Sequence, residues 1–372
     1  IAGVLISLFS SAVFAVEVKD LYSAEVLVID QSESKRNAAA QDALAEVLIR
    51  VSGSAQILLD QNIRRELHKP DAYLLQYSYA QSDQTLLNRA GEEVPAKRLF
   101  LSFDPSLVLK SLIEAGLPVW GSNRAQVIVW WGVEDQGDRY LLSANEEGTE
   151  EENGRVKKGV VERLYQETNR RGVPVTIPLM DLQDSAAVKT SDVWGFFTEN
   201  IEVASRRYGP EAILVGRAMP ALTGEWLGSW MLLLDGQSYW YEGTASSVDY
   251  LLAEAIDNVA ERLAEKYAVI VREDAALGIT LKVFDIKELK DYAAVSAYLD
   301  ALVPVRKALL RQVEGDILTF NIILDGDMKQ LKQAIELNDK LLPVVGVPVI
   351  ARKPTGKLLP DGYVDVGRVV VG

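Results

Sequence analysis

Apolar and polar positions change period several times along the chain, and each change marks an element. Tyr22 to Ile29 alternates and predicts a strand. A helix then carries Ala40, Leu44, Val47, Leu48 and Val51 on one stripe and stops at Ser52-Gly53. Ile57 to Leu67 predicts a second, short helix and Tyr73 to Ala80 a strand. Ser82 to Pro95 reads as a polar loop, Arg98 to Phe103 as a strand, and Ser106 to Ala115 as a helix stopped by Gly116 and Pro118. The order is βααββα.

Val127 to Val133 is apolar without alternation, as a strand buried on both faces must be. The next helix, from Lys157, carries Val160, Val161, Leu164 and Tyr165. It closes on Arg170-Arg171-Gly172-Val173-Pro174, and Val175 to Met180 predicts a strand. A helix through Ile201 and Ala204 closes in the same way on Arg206-Arg207-Tyr208-Gly209-Pro210. Cations suit the last turn, Gly suits the left-handed cap, and Pro blocks continuation. Ala212 to Gly216 reads as another buried strand. Glu225 to Leu234 and Gln237 to Ala245 form a hairpin about Asp235-Gly236, a pair suited to positive φ. Ser246-Ser247-Val248-Asp249 offers a capping box. The helix after it places Leu251, Leu252, Ala255, Ile256, Val259, Leu263 and Tyr267 on one stripe. This central order is β-α-β-α-β-β-β-α, with a partly parallel sheet because of its two crossovers.

After Val271 the pattern restarts. Ile279 to Phe284 is a strand, and Lys287 to Leu302 a helix. Val305 to Val313 and Ile317 to Leu324 form a hairpin, Met328 to Leu337 a helix, and Leu341 to Val347 a last strand. That βαββαβ order is ferredoxin-like. The expected class is therefore α/β (α+β), with three small mixed-sheet domains at 16–118, 119–272 and 273–347. A Gly/Pro-punctuated tail, 348–372, is placed to pair with a sheet edge. The length of 372 residues fits several units, since single cores stop growing at roughly 250–300 residues.

Ile1 to Phe9 is an apolar run, and Val13-Phe14-Ala15 is a small-x-small cleavage site. Residues 1–15 are expected to be a cleaved signal peptide whose basic start lies upstream of Ile1, and the mature chain to be periplasmic. The run is shorter than the ~18–20 residues a transmembrane helix needs, so no span is expected after cleavage. The net charge of −14 argues against nucleic acid as the main partner. With no Cys, neither a disulfide nor a thiolate site is possible.

Catalytic grammar is sparse. His68, the lone His, sits at a helix end, where its role is the dipole. There is no Gly-x-Ser-x-Gly elbow and no Gly-x-Gly-x-x-Gly. Thr355-Gly356-Lys357 lacks the upstream Gly of a phosphate loop, and Asp325-Gly326-Asp327 lacks the ligand spacing of a calcium loop. The acidic run Glu146 to Glu152 reads as a solvated loop. No cofactor or metal is expected. Two aromatic features remain. Trp194, Phe196 and Phe197 lie in a loop before a helix; they make a contact site if exposed, and close a sheet edge if buried. Tyr239-Trp240-Tyr241 is placed on a strand, with Trp240 facing away from its neighbours and core packing as its expected role.

Tyr22-Ser23-Ala24-Glu25-Val26, Arg36-Asn37-Ala38-Ala39-Ala40 and Leu48-Ile49-Arg50-Val51-Ser52-Gly53 resemble the opening of a proteobacterial family of secreted proteins of unknown function. So do Leu117-Pro118-Val119-Trp120-Gly121, Asp192-Val193-Trp194-Gly195 and the stretch from Tyr208 to Arg217. The likeness spans about Val16 to Val271 and implies no catalytic residue. In element order the central unit is similar to the N-terminal domain of the Tol-system propeller protein. It is also similar to domains of flagellar-ring and penicillin-binding-protein activator proteins, which are envelope interaction modules. The resulting expectation is a non-catalytic protein–protein interaction module of the Gram-negative envelope, with other envelope proteins as partners. Two alternatives stand beside it. One is a hydrolase of envelope polymers using carboxylates among Asp30, Asp104, Glu134, Asp135 and Asp181. The other is a periplasmic binder of a small ligand.

Overall fold

Strands β1 (Ser23–Val28), β2 (Leu74–Leu87) and β3 (Glu93–Phe103) form an antiparallel sheet of order β1-β3-β2. This computed structural model describes residues 16–88, 90–144, 154–271, 277–325, 328–337, 340–342, 348–352, 358–365 and 368–369. The signal segment, the acidic run from Glu146, Gly326-Asp327 and Thr355-Gly356-Lys357 lie outside them. Alternation puts Ala24, Val28, Leu99, Leu101 and Phe103 on one face of this first sheet. That face is covered by α1 (Glu33–Ser52), α2 (Gln61–Leu67) and α3 (Pro105–Glu114). Helix α1 contributes Leu44, Val47 and Leu48, all fully buried, at about 1.5–3 kcal/mol of apolar transfer each. The short-helix expectation over Ile57 to Leu67 divides in two. Ala55–Leu59 is a 3-10 turn, and Asp60 then caps α2 by accepting from the N–H groups of Asn62 and Ile63. The expected loop from Ser82 to Pro95 is corrected too. Thr85, Leu86 and Leu87 pair with Pro95, Val94 and Glu93 in a projecting ribbon. Both of its faces meet water, so no apolar alternation announces it.

The second sheet is built on β4 (Val127–Asp135), followed by β5 (Asp138–Leu141), α4 (Gly154–Arg171) and β6 (Val175–Thr176). Three short helices follow, α5 (Leu182–Ala187), α6 (Thr190–Trp194) and α7 (Thr198–Ser205). Then come β7 (Ala212–Pro220), β8 (Trp226–Leu234), β9 (Gln237–Ala245) and α8 (Val248–Tyr267). Its order is β9-β8-β7-β4-β5, with β6 beside the start of β4; β4 is parallel to both β7 and β6. The expected strand Val175 to Met180 ends after two residues, because Pro178 offers no N–H and Met180 lies at φ +52. The capping box expected at Ser246–Asp249 does not form: Ser247 starts α8 without a side-chain bond. Helices α4 and α8 cover one face and α5–α7 part of the other.

The third sheet joins β10 (Leu277–Val283), β11 (Val305–Glu314) and β12 (Ile317–Leu324) to β13 (Pro348–Arg352) and β14 (Leu358–Asp365). Its order is β11-β12-β10-β13-β14. Helices α9 (Leu289–Asp300) and α10 (Met328–Glu336) supply Val295, Leu299, Leu331 and Ile335 to its core. The first four strands take the ferredoxin-like order, all antiparallel, but the fourth is Pro348–Arg352. Of the expected strand Leu341 to Val347, Leu341–Leu342 pair with Arg368–Val369, and 343–347 lie outside the described residues.

The first two sheets meet at the C-terminal ends of α1 and α4. Gly53, at φ +82, ends α1, and a Cβ there would lie 2.1 Å from that of Ala264 on α8. Arg124, fully buried, fills the junction with no carboxylate. Its Nε donates to Gly121 O (2.9 Å) and Nη1 to Arg171 O and Gly172 O (2.9 Å each). Nη2 donates to Arg50 O (2.7 Å) and Trp120 O (3.1 Å). The Trp120 ring lies 3.8 Å beneath the guanidinium. Carbonyls at two helix ends thus replace water around the charge. Burial, and then the like charges of Arg50 and Arg171, push its pKa well below the usual arginine range. Arg50 likewise donates to Arg170 O (2.8 Å) and Ser23 O (2.6 Å), and Arg171 to Gly53 O (2.8 Å) and Asp257 (2.9 Å).

Arg124→Met is expected to destabilise the chain by at least about 3 kcal/mol in urea denaturation, since it strands several buried carbonyls. Arg124→Lys should recover little, because one ammonium cannot span five acceptors.

Candidate interaction surface

Strand β9 alternates strictly. Tyr239 and Tyr241 turn toward α8 and pack at the rim of the core, with Tyr241 stacked 6.3 Å from Trp230. Trp240 faces the other way and remains 58% exposed, a correction to its expected core role. Register places Trp240 beside Met231 and, beyond it, Val215 and Trp130, all on the face that α5–α7 cover. That cover stops short of β9, because three helices of five to eight residues cannot span the sheet.

The loop from α6 to α7 closes part of the gap. The N–H of Phe197 donates to Asp192 O (2.8 Å) and that of Phe196 to Val193 O (3.2 Å). This is a Schellman ending, in which the residue after the cap takes the left-handed region, usually as Gly. Here Gly195 sits one position early at φ −91, and Phe196 takes the slot at φ +54. A left-handed aromatic costs on the order of 1–2 kcal/mol. The return is placement: the Phe196 ring meets Trp240 edge-on at 4.9 Å and 62°. The Arg217 guanidinium lies 5.2 Å from the Phe196 ring, and its Nη1 donates to Trp194 O (2.6 Å).

The three expected residues therefore part company. Phe197 is 58% exposed, Phe196 is half-buried, and Trp194 is half-buried with Arg139 4.3 Å above its ring. Trp194 packs on Gly132, where a Cβ would lie 3.2 Å from the ring. The exposed surface is Phe197, Trp240 and the edge of Phe196. Trp240 was missed, although its alternation on the last strand of a hairpin was a usable signal. Trp120, whose triplet repeats that of Trp194, is buried under Arg124.

The five carboxylates of the hydrolase alternative occupy separate turns. Asp30 accepts from Ser32 N–H (2.8 Å), and Asp104 caps α3 through Ser106 N–H (2.8 Å). Glu134 pairs with Arg139 (2.7 Å) in the β4–β5 hairpin, where Asp135 also lies. Asp181 caps α5 and takes two bonds from Arg207 (2.9 Å each), which hold its carboxyl far below the usual range. Arg207 also reaches the buried Asp184 (2.9 Å), to which Tyr208 OH donates at 2.6 Å. Among the described residues no cluster of three His, Asp or Glu is arranged for a metal. His68 ends α2 on the surface.

A groove of about 1460 Å³ runs between the uncovered face of the first sheet and α4, past Ser23, Gln76, Phe100, Glu46 and Glu167. None of the five carboxylates lines it. Its buried charges are matched: the nearly buried Glu167 binds Arg163 and Arg170 (2.6 Å each), and Glu46 pairs with Arg50, while Lys19, Asp20 and Asp83 stand at its exposed rim. Burial raises the Glu46 pKa, and Arg50 opposes the rise.

Residues 15–121 match the family model of a domain of unknown function, DUF8605. That span takes in the first sheet, α1–α3 and Trp120, and ends three residues before Arg124. No curated protein matches the chain. Among the described residues no helix is long and apolar enough to cross a membrane.

Phe196→Gly should leave stability within about 1 kcal/mol of the parent, because relief of left-handed strain offsets a ring contact of ~0.5–1.5 kcal/mol. Phe196→Val keeps the strain and loses the contact, so it should melt lower than Phe196→Gly. For Asp181 the folded pKa lies below the unfolded one. Its stabilisation is complete above about pH 4 and fades as pH falls through the lower folded value. Thermal melts of Arg207→Leu should lack that component of acid sensitivity.

Proposed function

We propose that this protein is a non-catalytic binding module of the cell envelope, working in the periplasm, and that Phe196, Phe197 and Trp240 form its recognition surface. One observation carries the reading: an exposed Trp240 on the outer strand of a sheet braces Phe196, which is held in an unfavourable backbone conformation next to the exposed Phe197. Exposed aromatics with a neighbouring cation are the composition of protein contact sites. The apolar N-terminal run, the resemblance to secreted proteins and the likeness in element order to envelope modules support the compartment. The carboxylates of the hydrolase alternative all serve caps, hairpins and ion pairs, which supports binding over turnover.

A photo-crosslinking side chain in place of Phe197, in cells, should capture one envelope protein. Trp240→Ser should abolish the adduct while changing stability by less than about 1 kcal/mol. No adduct, or an adduct indifferent to Trp240→Ser, sinks the proposal. So does osmotic-shock fractionation that leaves the full-length chain in the cytosol.

The groove favours a second reading, a polar small molecule held between the first sheet and α4. Amides and hydroxyls such as Gln76, Ser78 and Gln166, with the buried charges internally matched, suit a polar ligand. Saturating such a ligand at 100 times its Kd stabilises the fold by about 2.7 kcal/mol. A thermal-shift screen of sugars and neutral amino acids with no response removes this reading.

A further inference from the structure

Strand β9 is the outer strand of the second sheet, and its free edge is unguarded. It pairs with β8 over nine residues without a register shift. Asp235 and Gly236 both have positive φ, +52° and +71°, so the hairpin turn has two central residues. The pair flanking such a turn, Leu234 and Gln237, is hydrogen-bonded, and the pattern then alternates. It follows that the N–H and C=O groups of Ser238, Trp240, Glu242 and Thr244 point away from β8, along the open edge.

Most other outer strands of the three large sheets carry the usual protections. Strand β2 has register shifts at Leu74/Gln76 and Gln81/Thr85. Strand β11 has two shifts and carries Arg306, Lys307 and Arg311. Strand β5 has four residues, and β14 contains Pro360. On β1, Arg50 already occupies Ser23 O. Strand β9 has no Pro and no Lys, and one charge, Glu242.

The chemistry beside this edge says what fits it. Glu242 is exposed on the face that carries Trp240. Glu254 comes from α8 on the opposite face, its Oε2 2.7 Å from where a Cβ on Gly243 would be. Both are exposed, and neither has an ion-pair partner among the described residues. The nearby cations are engaged: Arg262 with Glu265 and the Tyr239 ring, Lys266 with Asp235. Two unmatched carboxylates thus bracket the open backbone from its two sides. A second copy would bring the same carboxylates together and join two chains of net charge −14, so self-pairing is disfavoured.

We propose that β9 accepts an extended, cationic segment of the partner as an added antiparallel or parallel strand. The outward groups of Ser238, Trp240, Glu242 and Thr244 bind its backbone, Glu242 and Glu254 take its Lys or Arg, and Trp240 with Phe196 covers an apolar residue beside it. This deepens the binding reading above and rests on it. Backbone bonds supply affinity in such strand addition, and flanking side chains supply selection.

The test uses the full chain and a synthetic peptide repeating two valines and two lysines, which offers both residue types on each face of a strand, with two twins, one with glutamate for lysine and one N-methylated on alternate amides. The lysine peptide should bind and slow hydrogen exchange at Ser238, Trp240, Glu242 and Thr244. The N-methylated and glutamate twins should bind at least about tenfold more weakly, since the several bonds or charge matches each loses together exceed ~1.4 kcal/mol. Thr244→Pro removes an outward N–H without touching the β8 ladder and should weaken binding about tenfold. Glu242→Gln combined with Glu254→Gln should weaken it and remove its salt dependence. If Thr244→Pro fails to fold, the N-methylated twin still decides. Equal binding by the N-methylated twin, no binding by the lysine peptide, or unchanged exchange at the edge overturns the proposal. So does a free chain that is dimeric with these amides already protected, which assigns the edge to a second copy. If the Phe197 adduct depends on Trp240 while the edge amides never respond, the aromatic reading survives and strand addition falls. If the edge amides respond while the adduct ignores Trp240, the aromatic reading alone falls.

Discussion

Arg124 sets the relation between the first two sheets, and its environment explains why an unpaired cation can sit there. Isolated charges are rarely buried, because desolvation costs several kcal/mol even after relaxation. Here the ends of α1 and α4 point orphaned carbonyls at one spot, where the helix dipoles already concentrate negative potential. One planar guanidinium satisfies both ends at once, with Trp120 as its floor. The arrangement tolerates no side chain at Gly172, which sits at φ +64 with Arg124 Nη1 2.7 Å from a would-be Cβ. Gly172 and Gly53 are therefore both helix stops and junction residues. Arg170 and Arg171, which look like simple last-turn cations, reach across to Asp257.

The same geometry limits the groove. Its wall is α4 and its floor the open face of the first sheet, so its width depends on the Arg124 junction. Glu46 and Glu167 lie close to that junction and owe their burial to it. Their ion pairs with Arg50, Arg163 and Arg170 each lie within one helix, α1 or α4, and leave neither carboxylate free for a ligand.

Periodic stretches were legible in the sequence. The α8 stripe, the doubly buried β4 and the Asp235-Gly236 hairpin each announce themselves through local spacing, and each is present with bounds within a few residues. Elements that rest on partner backbone left no such trace. The β2–β3 ribbon has water on both sides, β6 is cut short by Pro178, and the fourth strand of the last sheet lies beyond the apolar run expected to supply it. Of the candidate surface, Phe197 was legible as a loop aromatic, with its exposure left open by the sequence. For Trp240 the alternation gave its face, but its exposure depends on how far three short helices reach across a sheet, which no local pattern encodes. Arg124 was invisible for the same reason: its partners are carbonyls, and every sequence has those.

The placement of Phe196 bears on which surface selection has shaped. In the Trp194-Gly195-Phe196-Phe197 run, shifting the glycine by one position would give an unstrained helix ending. The chain instead keeps the aromatic in the left-handed slot, where its ring meets Trp240 and lies beside Arg217. Strain of this kind persists where surrounding structure fixes it, and it concentrates at sites of use. Phe196 also packs against the core beneath α6 and α7, but Trp240, which its ring meets, remains more than half exposed. What the strained turn does achieve is to stand two aromatic rings against a nine-residue sheet edge without a bulge, a proline or a lysine. Local backbone cost and the unguarded edge are independent features, and they coincide at Trp240.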